Sequence, residues 1–429
     1  MDQINVAILG MGIVGQGVAI MLLKHGDYLE KRLGCRINLR RLLEKDWEKP
    51  LDFDRGSIPI SGQWEDVLGD GDIHIVIETM GGIEPARTFI ADALRSGKHV
   101  VTANKDLLAV HGQELFAIAK AFGVDLYFEA SVGGAIPILY ALRQNLVSDP
   151  IKEVMGIVNG TTNYILTRMA SEGGSFQEIL ADAQRLGYAE ANPASDVEGV
   201  DAGRKAALLS TLAYHSKVTL DDVYTEGISD ISIEDIRFAA QMGFTIKLVA
   251  ICKEAEGKIE ARVHPALLPH GHPLSSVKDT FNAIFVKADH IGEIMLYGRG
   301  AGRFPTASAI LGDVSEIVRN IRAGSCGRLS MVYGAEKAVV PIEDVRTRFF
   351  LRFLVEDKPG VLATITKTLS KWGISLDTVV QTDLGGSEAE LVFVTHQVRE
   401  GDMRKALEDL RSLGETREIK TVLRVEGVA

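Results

Sequence analysis

The chain has 429 residues, of which 46% are hydrophobic and 24% are charged, and its formal net charge is −11. That length suits two or three domains, and no apolar run reaches the ~18 residues that a membrane-spanning helix requires. The negative charge argues against a nucleic-acid surface, and the three scattered cysteines form neither a disulfide framework nor a zinc pattern. Because no signal-like segment opens the chain, we expect a cytoplasmic protein with no membrane partner.

The first third of the chain alternates short apolar runs with helical stretches, which predicts a parallel α/β sheet of the Rossmann type. Strands are predicted at 5–9, 36–43, 73–78, 99–102 and 124–128. Helices are predicted at 13–24, 85–96 and 107–122. We assign this dinucleotide-binding domain to residues 1–134 and expect about 305–335 to complete it.

A glycine-rich loop, GMGIVG, lies between the first strand and the first helix. Gly10 permits the tight turn, Gly12 lets the backbone approach a pyrophosphate, and Gly15 allows close packing of helix and strand. The helix start at Ile13 and Val14 offers unpaired N–H groups to the phosphates. The loop therefore predicts an NAD(P) site; the alternative is a turn that only needs positive φ.

Cofactor preference depends on Glu44 and Lys45, at the end of the second strand. An acidic residue there usually binds the ribose 2′-hydroxyl of NAD, whereas a cation accommodates the 2′-phosphate of NADP. Both types are present, so the sequence leaves NAD and NADP open. Lys45 is also compatible with a solvated surface pair.

Residues 135–304 are mixed, and we interpret them as a substrate, catalytic and dimerisation domain. Strands are predicted at 246–252, 284–287 and 294–297 and a helix at 204–214, and a further helix at 307–322 follows this domain. Asp201 and Lys205 are four residues apart and share a helix face. A lysine held by an aspartate in a cleft can donate or accept a proton. The alternative is an acid-rich helix N-terminus with one surface ion pair.

Two predicted Rossmann strands end in polar segments. VTANK ends its strand with Lys105, and ETMGG, which contains Thr79, ends the preceding strand. The carboxyl ends of parallel strands form the edge where ligands bind. The two segments are therefore candidates for the site.

Residues 336–347 are interpreted as a linker, and 348–429 as a separate unit. Its strands are predicted at 349–355, 374–383, 389–398 and 421–426, and its helices at 361–372 and 402–413. The order βαββαβ is ferredoxin-like. The predicted fold class is α/β: a Rossmann-type domain, an α+β catalytic domain and a C-terminal ferredoxin-like domain.

Seven segments resemble the homoserine dehydrogenase family, in this order: GMGIVG, ETMGG, VTANK, EASVGGAIP, NGTTNYIL, GYAEANPASDVEGVDAGRK and GRGAGRFPTAS. The resemblance implies NAD(P)-dependent interconversion of L-homoserine and L-aspartate 4-semialdehyde, in threonine, methionine and isoleucine biosynthesis. It also implies a homodimer or homotetramer. Many relatives carry Pro-Asp at Ala191-Asn192 and Asp at Ser195, so one acidic group near the substrate is absent or was never required.

The same resemblance implies roles for individual residues. Lys205 is the implied general acid/base, and Lys105 is a second cation near the reacting oxygen and the nicotinamide. The implied substrate-binding residues are Glu190, Asp196, Asp201, Gly160 and Thr161. The implied cofactor-binding residues are Gly10, Gly12, Ile13, Val14, Gly15, Lys45, Thr79, Lys105, Gly187 and Gly302.

The segment EASVGGAIP resembles a monovalent-cation loop, with sodium as an example of the ion. The implied ligands are Glu129, Val132, Gly134 and Ile136, largely through backbone oxygens, which hard cations favour. The alternative is a glycine-rich turn between domains.

The opening of the C-terminal unit, a strand followed by DKPG and a helix, resembles the ACT domain family. This implies an amino-acid effector, with L-threonine favoured, bound where two chains meet. The implied contacts are Asp357, Gly360, Val361 and Leu362, since a helix N-terminus offers N–H groups to a carboxylate. The alternative is a domain that only mediates dimerisation.

Two other functions compete. An aspartate semialdehyde dehydrogenase needs a nucleophilic cysteine, and none of Cys35, Cys252 and Cys326 lies in an evidently activated setting. An amino-acid sensor could keep the dinucleotide fold without its chemistry. The joint presence of Lys105, Lys205, Glu190 and Asp201 argues against a sensor.

Overall fold

The structure is a computed structural model, and it describes residues 2–46, 48–328, 336–383 and 387–427. Within these ranges it contains no helix that is both long and apolar enough to cross a membrane. The chain forms three units in sequence order, and the second and third of them share one continuous sheet.

The first unit is a six-stranded parallel sheet with helical crossovers. Its strands are β1 Gln3–Leu9, β2 Arg36–Leu43, β3 Ile60–Ser61, β4 Ile75–Glu78, β5 His99–Thr102 and β6 Leu126–Tyr127. Its helices are α1 Ile13–Leu33, α2 Glu65–Leu68, α3 Ala86–Arg95 and α4 Lys105–Phe122. The spatial order β3-β2-β1-β4-β5-β6 reverses between β1 and β4, which opens a crevice at their carboxyl ends.

The second unit packs helices on an antiparallel sheet in the order β12-β11-β7-β9-β10. The strands are β7 Ile151–Ile157, β8 Tyr224–Thr225, β9 Phe244–Ala255, β10 Lys258–Pro269, β11 Phe281–Ala288 and β12 Gly292–Arg299. The helices are α5 Ile138–Tyr140, α6 Gly160–Glu172, α7 Phe176–Arg185, α8 Ala194–Val197, α9 Val200–Tyr214 and α10 Ile233–Gln241.

The next helix, α11 (Arg303–Ala323), returns to the first unit and packs beside α1. Val18 and Leu22 of α1 and Ile310 and Val314 of α11 belong to one buried cluster that covers a face of the parallel sheet. This packing places the glycine-rich start of α11 next to α1, because a side chain at Gly17 would lie 2.8 Å from the Arg303 carbonyl oxygen.

The third unit has the ferredoxin-like order β17-β13-β15-β14, with antiparallel neighbours throughout. Its strands are β13 Arg346–Glu356, β14 Leu376–Asp383, β15 Glu388–Thr395, β16 Val398–Arg399 and β17 Thr416–Val425. Its helices are α12 Val361–Lys371 and α13 Glu400–Arg411. The predicted βαββαβ order is confirmed, with one added two-residue strand.

The sheets of the second and third units join through β10 and β17, which pair in parallel at Ala266 with Arg424 and Leu267 with Val425. The segment interpreted as a linker also contacts β10: Val340 N donates to Ile259 O over 2.7 Å, and Ile259 N donates to Ala338 O over 2.9 Å. The C-terminal unit is therefore attached along an edge as well as through the chain.

Three buried arginines hold this junction. Arg262 of β10 pairs with Glu426, and Arg424 Nη2 lies 2.7 Å from Glu400 Oε1. Arg424 Nη1 also lies 2.7 Å from Glu226 Oε2 of the second unit. The third arginine bridges the units as well, since Arg352 of β13 reaches Asp235 of α10 over 2.8 Å and also pairs with Glu390. A buried charge is costly without a partner, so each unit supplies charges that the other needs.

Candidate active site

Two lysines from different parts of the chain meet at one carboxylate. Lys105 is the first residue of α4, directly after β5, whereas Asp201 and Lys205 lie in the first two turns of α9. Lys205 Nζ lies 2.7 Å from Asp201 Oδ2, and Lys105 Nζ lies 3.3 Å from Asp201 Oδ1. The candidate site is therefore assembled where the carboxyl edge of the Rossmann sheet meets the second unit.

Local structure fixes the direction of Lys205. Helix α9 begins after Gly199, whose φ of 82° lets the chain turn sharply into the helix. Lys205 Nζ donates to Asp201 and, over 2.7 Å, to the carbonyl oxygen of Val158 at the end of β7. An ammonium group has three hydrogens, and the described residues accept only two of them. One hydrogen therefore remains for a ligand.

Asn159 positions two aspartates with one side chain. Its Nδ2 donates to Asp196 Oδ1 over 2.7 Å and to Asp201 Oδ2 over 2.9 Å, while its Oδ1 accepts from Thr162 N and caps α6. The sequence analysis included Asn159 in the NGTTNYIL segment but gave this residue no role. An asparagine between a strand and a helix was the available signal, because that position is typical of an N-cap.

The two aspartates differ in acidity. Burial would raise the pKa of Asp201, but the charges of Lys205 and Lys105 and the hydrogen bonds from Lys205 and Asn159 outweigh it and hold that pKa well below its usual range. Burial raises the pKa of Asp196, where the Asn159 hydrogen bond only partly offsets it and the charge of Asp201 adds to it. The site thus holds one firmly ionised carboxylate beside one that takes up a proton more readily.

The other candidate substrate residues differ in their contacts: Thr161 and Gly160 are packed into the structure, whereas Glu190 is exposed. Thr161 Oγ1 donates to the carbonyl oxygen of Tyr188 over 2.7 Å and so holds the GYAEAN loop. Gly160 starts α6, and a side chain there would lie 2.8 Å from Thr280 O. Glu190 lies exposed on the loop, and within the described ranges its carboxylate makes no hydrogen bond or ion pair. The structure therefore does not bring Glu190 into contact with the lysines.

The GMGIVG loop crosses the end of β1. Gly10 has a φ of 90°, and a side chain at Gly15 would lie 1.9 Å from the Gly10 carbonyl oxygen, so packing within the loop itself requires glycine at position 15. A side chain at Gly12 would meet no atom within 4 Å. Ile13 begins α1 with 65% of its surface exposed, and Val14 is half-buried behind it. The helix N-terminus thus faces open space.

Neighbouring side chains hold this loop in place. Thr79 Oγ1 donates to Leu9 O over 3.0 Å and to Gly10 O over 2.9 Å. Glu44 Oε2 accepts from Met11 N over 2.7 Å, and Lys45 beside it is exposed. Two other candidate cofactor residues lie elsewhere: Gly302 (φ 125°) precedes α11, and Gly187 (φ 75°) follows α7.

The candidate cation loop is buried between the first two units. Both carboxylate oxygens of Glu129 accept backbone hydrogens, from Leu139 N over 2.8 Å and Tyr140 N over 2.7 Å. Burial, only partly offset by these hydrogen bonds, raises the pKa of Glu129 to about 7. Val132 and Ile136 are buried, and a side chain at Gly134 would lie 2.3 Å from Gly300 O. The groups present are a carboxylate and carbonyl oxygens, which fit a hard cation chemically.

The candidate effector residues lie around a cavity of about 360 Å³ in the third unit. Asp357 Oδ1 accepts from Gln381 Nε2 over 3.4 Å, and Gly360, with a φ of 95°, precedes α12. Val361 is 4% exposed and Leu362 is 39% exposed. All four candidate contacts line the cavity, so the structure places them together.

The cysteines show no activated thiol. Burial raises the pKa of Cys252 to about 12. Burial also raises the pKa of Cys35 and of Cys326. A nucleophilic cysteine needs the opposite shift, so this geometry does not favour the aspartate semialdehyde dehydrogenase alternative.

Comparison with known proteins gives three family matches. The homoserine dehydrogenase model matches residues 137–315, its NAD binding domain model matches 10–129, and the ACT domain model matches 349–415. These matches confirm the predicted fold class and the resemblance to the ACT family.

Individual relatives extend over the whole chain. A homoserine dehydrogenase of Bacillus subtilis is 44% identical over 429 residues, covering 100% of this chain and 99% of that protein. The crystal structure of a homoserine dehydrogenase from Thiobacillus denitrificans has a TM-score of 0.93 at 39% identity, covering 99% of this chain and 98% of that one. A hyperthermophilic archaeal homoserine dehydrogenase in complex with NADPH has a TM-score of 0.63 at 26% identity, covering 73% and 97%.

Proposed function

The chain belongs to the homoserine dehydrogenase family, and from this premise we propose that Lys205 is the general acid/base for interconversion of L-homoserine and L-aspartate 4-semialdehyde. The observation that carries the assignment is the position of Lys205, which Asp201 and the Val158 carbonyl hold with one N–H hydrogen left for a ligand. A positioned proton donor or acceptor contributes typically about 10²–10⁴-fold to a rate.

The chain's own residues handle the proton and the charge. The nicotinamide ring of NAD(P) supplies or accepts the hydride. In the direction of reduction, Lys205 Nζ donates its proton to the oxygen that develops negative charge. In oxidation, the same nitrogen takes the proton of the hydroxyl group. Lys105, held 3.3 Å from Asp201, stabilises the charge on that oxygen as a second cation.

We assign the substrate's amino-acid end to the neighbouring polar groups. An ammonium group needs carboxylate partners. Both oxygens of Asp201 already contact lysines, so Asp196 and Glu190 are the principal acceptors, and Asp201 contributes through the lysines it orients. Gly160 and Thr161 bound the same pocket at the start of α6.

For the cofactor, we propose the crevice at Gly10–Gly15 with Thr79 beside it, and the family resemblance adds Gly187 and Gly302 to the proposed cofactor residues. Protein packing does not require glycine at position 12, which supports a ligand that approaches the backbone there. Glu44 is engaged with Met11 N, while Lys45 is exposed at the same strand end. We therefore propose that NADP is accepted through Lys45 and that NAD is also used.

Three further assignments are proposed from the family. Glu129, Val132, Gly134 and Ile136 would hold a structural monovalent cation such as sodium. The cavity at Asp357, Gly360, Val361 and Leu362 would bind an amino acid, with L-threonine as the first candidate for feedback in threonine biosynthesis. β14 ends the order of the continuous sheet, with Val379 44% exposed. We propose this edge as the contact in a homodimer or homotetramer.

We propose that an effector signal would reach the site through β17. Arg424 of β17 contacts Glu226, and Gly227 packs on α8, where a side chain would lie 2.3 Å from Val197 O. Ile228 N also donates to Val197 O over 2.8 Å. Residues 197–199 lead directly into α9, which carries Asp201 and Lys205. A shift of β17 would thus reach the catalytic helix through two contacts.

A steady-state assay tests the proposal. The protein is assayed with L-homoserine and with L-aspartate 4-semialdehyde, using NADP(H) and NAD(H). We expect turnover in both directions, and a decrease in kcat of roughly 10²–10⁴-fold for Lys205→Ala. Lys152→Ala, which removes a surface partner of Asp289, is the control and should leave kcat unchanged. Near wild-type turnover in Lys205→Ala would reject the assignment.

A further inference from the structure

A carboxylate without a cationic partner is buried beneath the candidate site. Glu78 ends β4 with none of its surface exposed, and in the described part of the chain no lysine, arginine or histidine forms an ion pair with it. Its hydrogen bonds come from Met80 N over 2.7 Å, from Gly81 N over 3.1 Å and from Thr102 Oγ1 over 2.5 Å. Among the described residues, the Glu78 carboxyl group therefore contacts two backbone N–H groups and one hydroxyl group, and no cation.

These bonds join the ends of two neighbouring strands. Thr102 ends β5, and its Oγ1 also accepts from Asn104 N over 3.0 Å. Asn104 caps α4 by accepting from Leu107 N, and its Nδ2 donates to Gly82 O over 2.7 Å. Two hydrogen bonds therefore connect the ETMGG and VTANK segments, one between Thr102 and Glu78 and one between Asn104 and Gly82.

The next residue after this network is Lys105. It begins α4, and its Nζ must reach 3.3 Å from an oxygen of Asp201 on a helix of another unit. The Thr102–Asn104 turn sets where α4 starts and hence where the Lys105 side chain begins. Burying a carboxylate costs free energy that an apolar side chain of similar size would not, so stability of the sheet does not explain Glu78.

We infer that Glu78 and Thr102 are positioning residues for Lys105: the buried carboxylate and the threonine hydroxyl fix the turn that presents Lys105 to Asp201. This inference rests on the role proposed for Lys105. It adds that the geometry of this lysine depends on a hydrogen bond between two strands of the Rossmann sheet, beneath the cofactor crevice.

The central test is Thr102→Val, which keeps the shape of the side chain and removes both hydrogen bonds. We expect kcat to fall roughly tenfold to hundredfold, since misplacement by about 1 Å can cost 10²-fold. We also expect KM for L-homoserine and Kd for NADPH to change less than about threefold. Thr102→Ser keeps the hydroxyl and should restore kcat, which loss of packing alone would not allow.

A double-mutant cycle separates positioning from general damage. If Thr102 acts through Lys105, Thr102→Val should cost nothing further in kcat when combined with Lys105→Ala. The matched control is Thr395→Val, because Thr395 is equally buried in β15, accepts from Phe349 N over 3.0 Å and donates to His396 O over 2.8 Å. It should lower Tm without lowering kcat.

The outcomes distinguish this inference from the proposed function. If the wild-type protein fails to oxidise homoserine, or Lys105→Ala turns over normally, the proposed function fails first. If both behave as proposed but Thr102→Val keeps wild-type kcat, or its cost is fully additive with Lys105→Ala, the positioning inference is wrong. Should Thr102→Val not fold, Thr102→Ala gives the same comparison, because it also removes the hydrogen bonds to Glu78 and from Asn104 N.

Discussion

Ion pairs lie both in the cleft around Asp201 and at the junction between β10 and β17, and the two places differ in how accessible the charges are. In the cleft, the side chains of Lys205 and Lys105 keep 11% and 31% of their surface exposed. At the junction, the side chains of Arg262 and Glu426 keep 2% and 5%. The same chemistry therefore leaves protons within reach of a ligand in one place and makes the charges inaccessible in the other.

This difference in exposure indicates that the cleft serves catalysis and that the junction serves stability. A charged side chain that a substrate can reach can transfer a proton to it. Removing one partner of a fully buried pair lowers the free energy of unfolding strongly, because the other charge then stays buried without a partner. We accordingly expect changes in the cleft to alter kcat with little loss of stability, and changes at the junction to do the reverse.

The largest predicted loss of stability is at Glu426. Glu426→Gln leaves Arg262 buried without its carboxylate, so the free energy of unfolding should decrease by about 3–5 kcal/mol. Denaturation in urea measures it, with kcat at 25 °C as the second readout. Glu418→Gln is the control on β17, the strand that precedes Glu426, because the side chain of Glu418 is 55% exposed and pairs with Lys420. A change at Glu426 no larger than at Glu418 would show that the junction does not depend on the pair.

Acid denaturation gives a second view of the same pair. Burial would raise the pKa of Glu426, but the charges of Arg262 and Lys253 outweigh it and hold the pKa well below the ordinary 4.5. A lowered folded-state pKa stabilises the protein above pH 4.5, and this stabilisation is lost as the pH falls through the folded-state value. The difference in Tm between wild type and Glu426→Gln should thus narrow below pH 4.5. A constant difference would contradict the assigned charge state.

The effector cavity tests whether the junction also transmits a signal. Asp357→Ala should weaken the proposed inhibition by L-threonine, and a typical allosteric coupling of about 5–150-fold sets the largest loss of inhibition to expect. Basal kcat should be unchanged, because Asp357 belongs to the third unit, whereas the cleft is formed by α4 and α9 of the first two units. Asp402→Ala, in the first turn of α13, is the matched control. Full inhibition in Asp357→Ala would exclude this cavity as the site. The full-length chain is required, because removing β17 and the residues after it would expose β10 and take away Glu426, the nearer of the two carboxylates that pair with Arg262.

The smallest predicted effect concerns the exposed end of the cofactor crevice. Lys45→Ala should raise KM for NADP roughly twofold to fivefold and leave KM for NAD unchanged, as expected when an exposed charge pair is lost. Lys49→Ala, which is also exposed, is the control. Equal changes in KM for the two cofactors would show that Lys45 is only a surface charge.

Elements with a regular apolar pattern can be predicted from the sequence. Elements that depend on a partner far away in the sequence cannot. β10 was not predicted, because Glu260, Arg262, His264 and Pro265 interrupt its apolar pattern. Arg262 is tolerated there because Glu426, 164 residues later, supplies its partner. The sequence contains both residues, but only the joined sheets bring them together.

The candidate site shows the same limit. The spacing of Asp201 and Lys205 predicts their contact, because one helix carries both residues. The contact of Lys105 with Asp201 depends on how two units pack, and the double role of Asn159 depends on where β7 ends relative to α9. Glu190 shows the converse, because its place in a family segment did not predict the exposed position of its carboxylate.

The central claim is that Asp201 holds both lysines for the reaction, and Asp201→Asn tests it most directly. The amide keeps the shape of the side chain but loses the charge that pairs with Lys205 and Lys105. The measurement is the initial rate of NADPH formation from L-homoserine, with Kd for NADPH measured in parallel and Asp182→Asn as a surface control. We predict a fall in kcat of at least about 10²-fold with Kd unchanged. A variant that turns over L-homoserine at the wild-type rate would contradict the account.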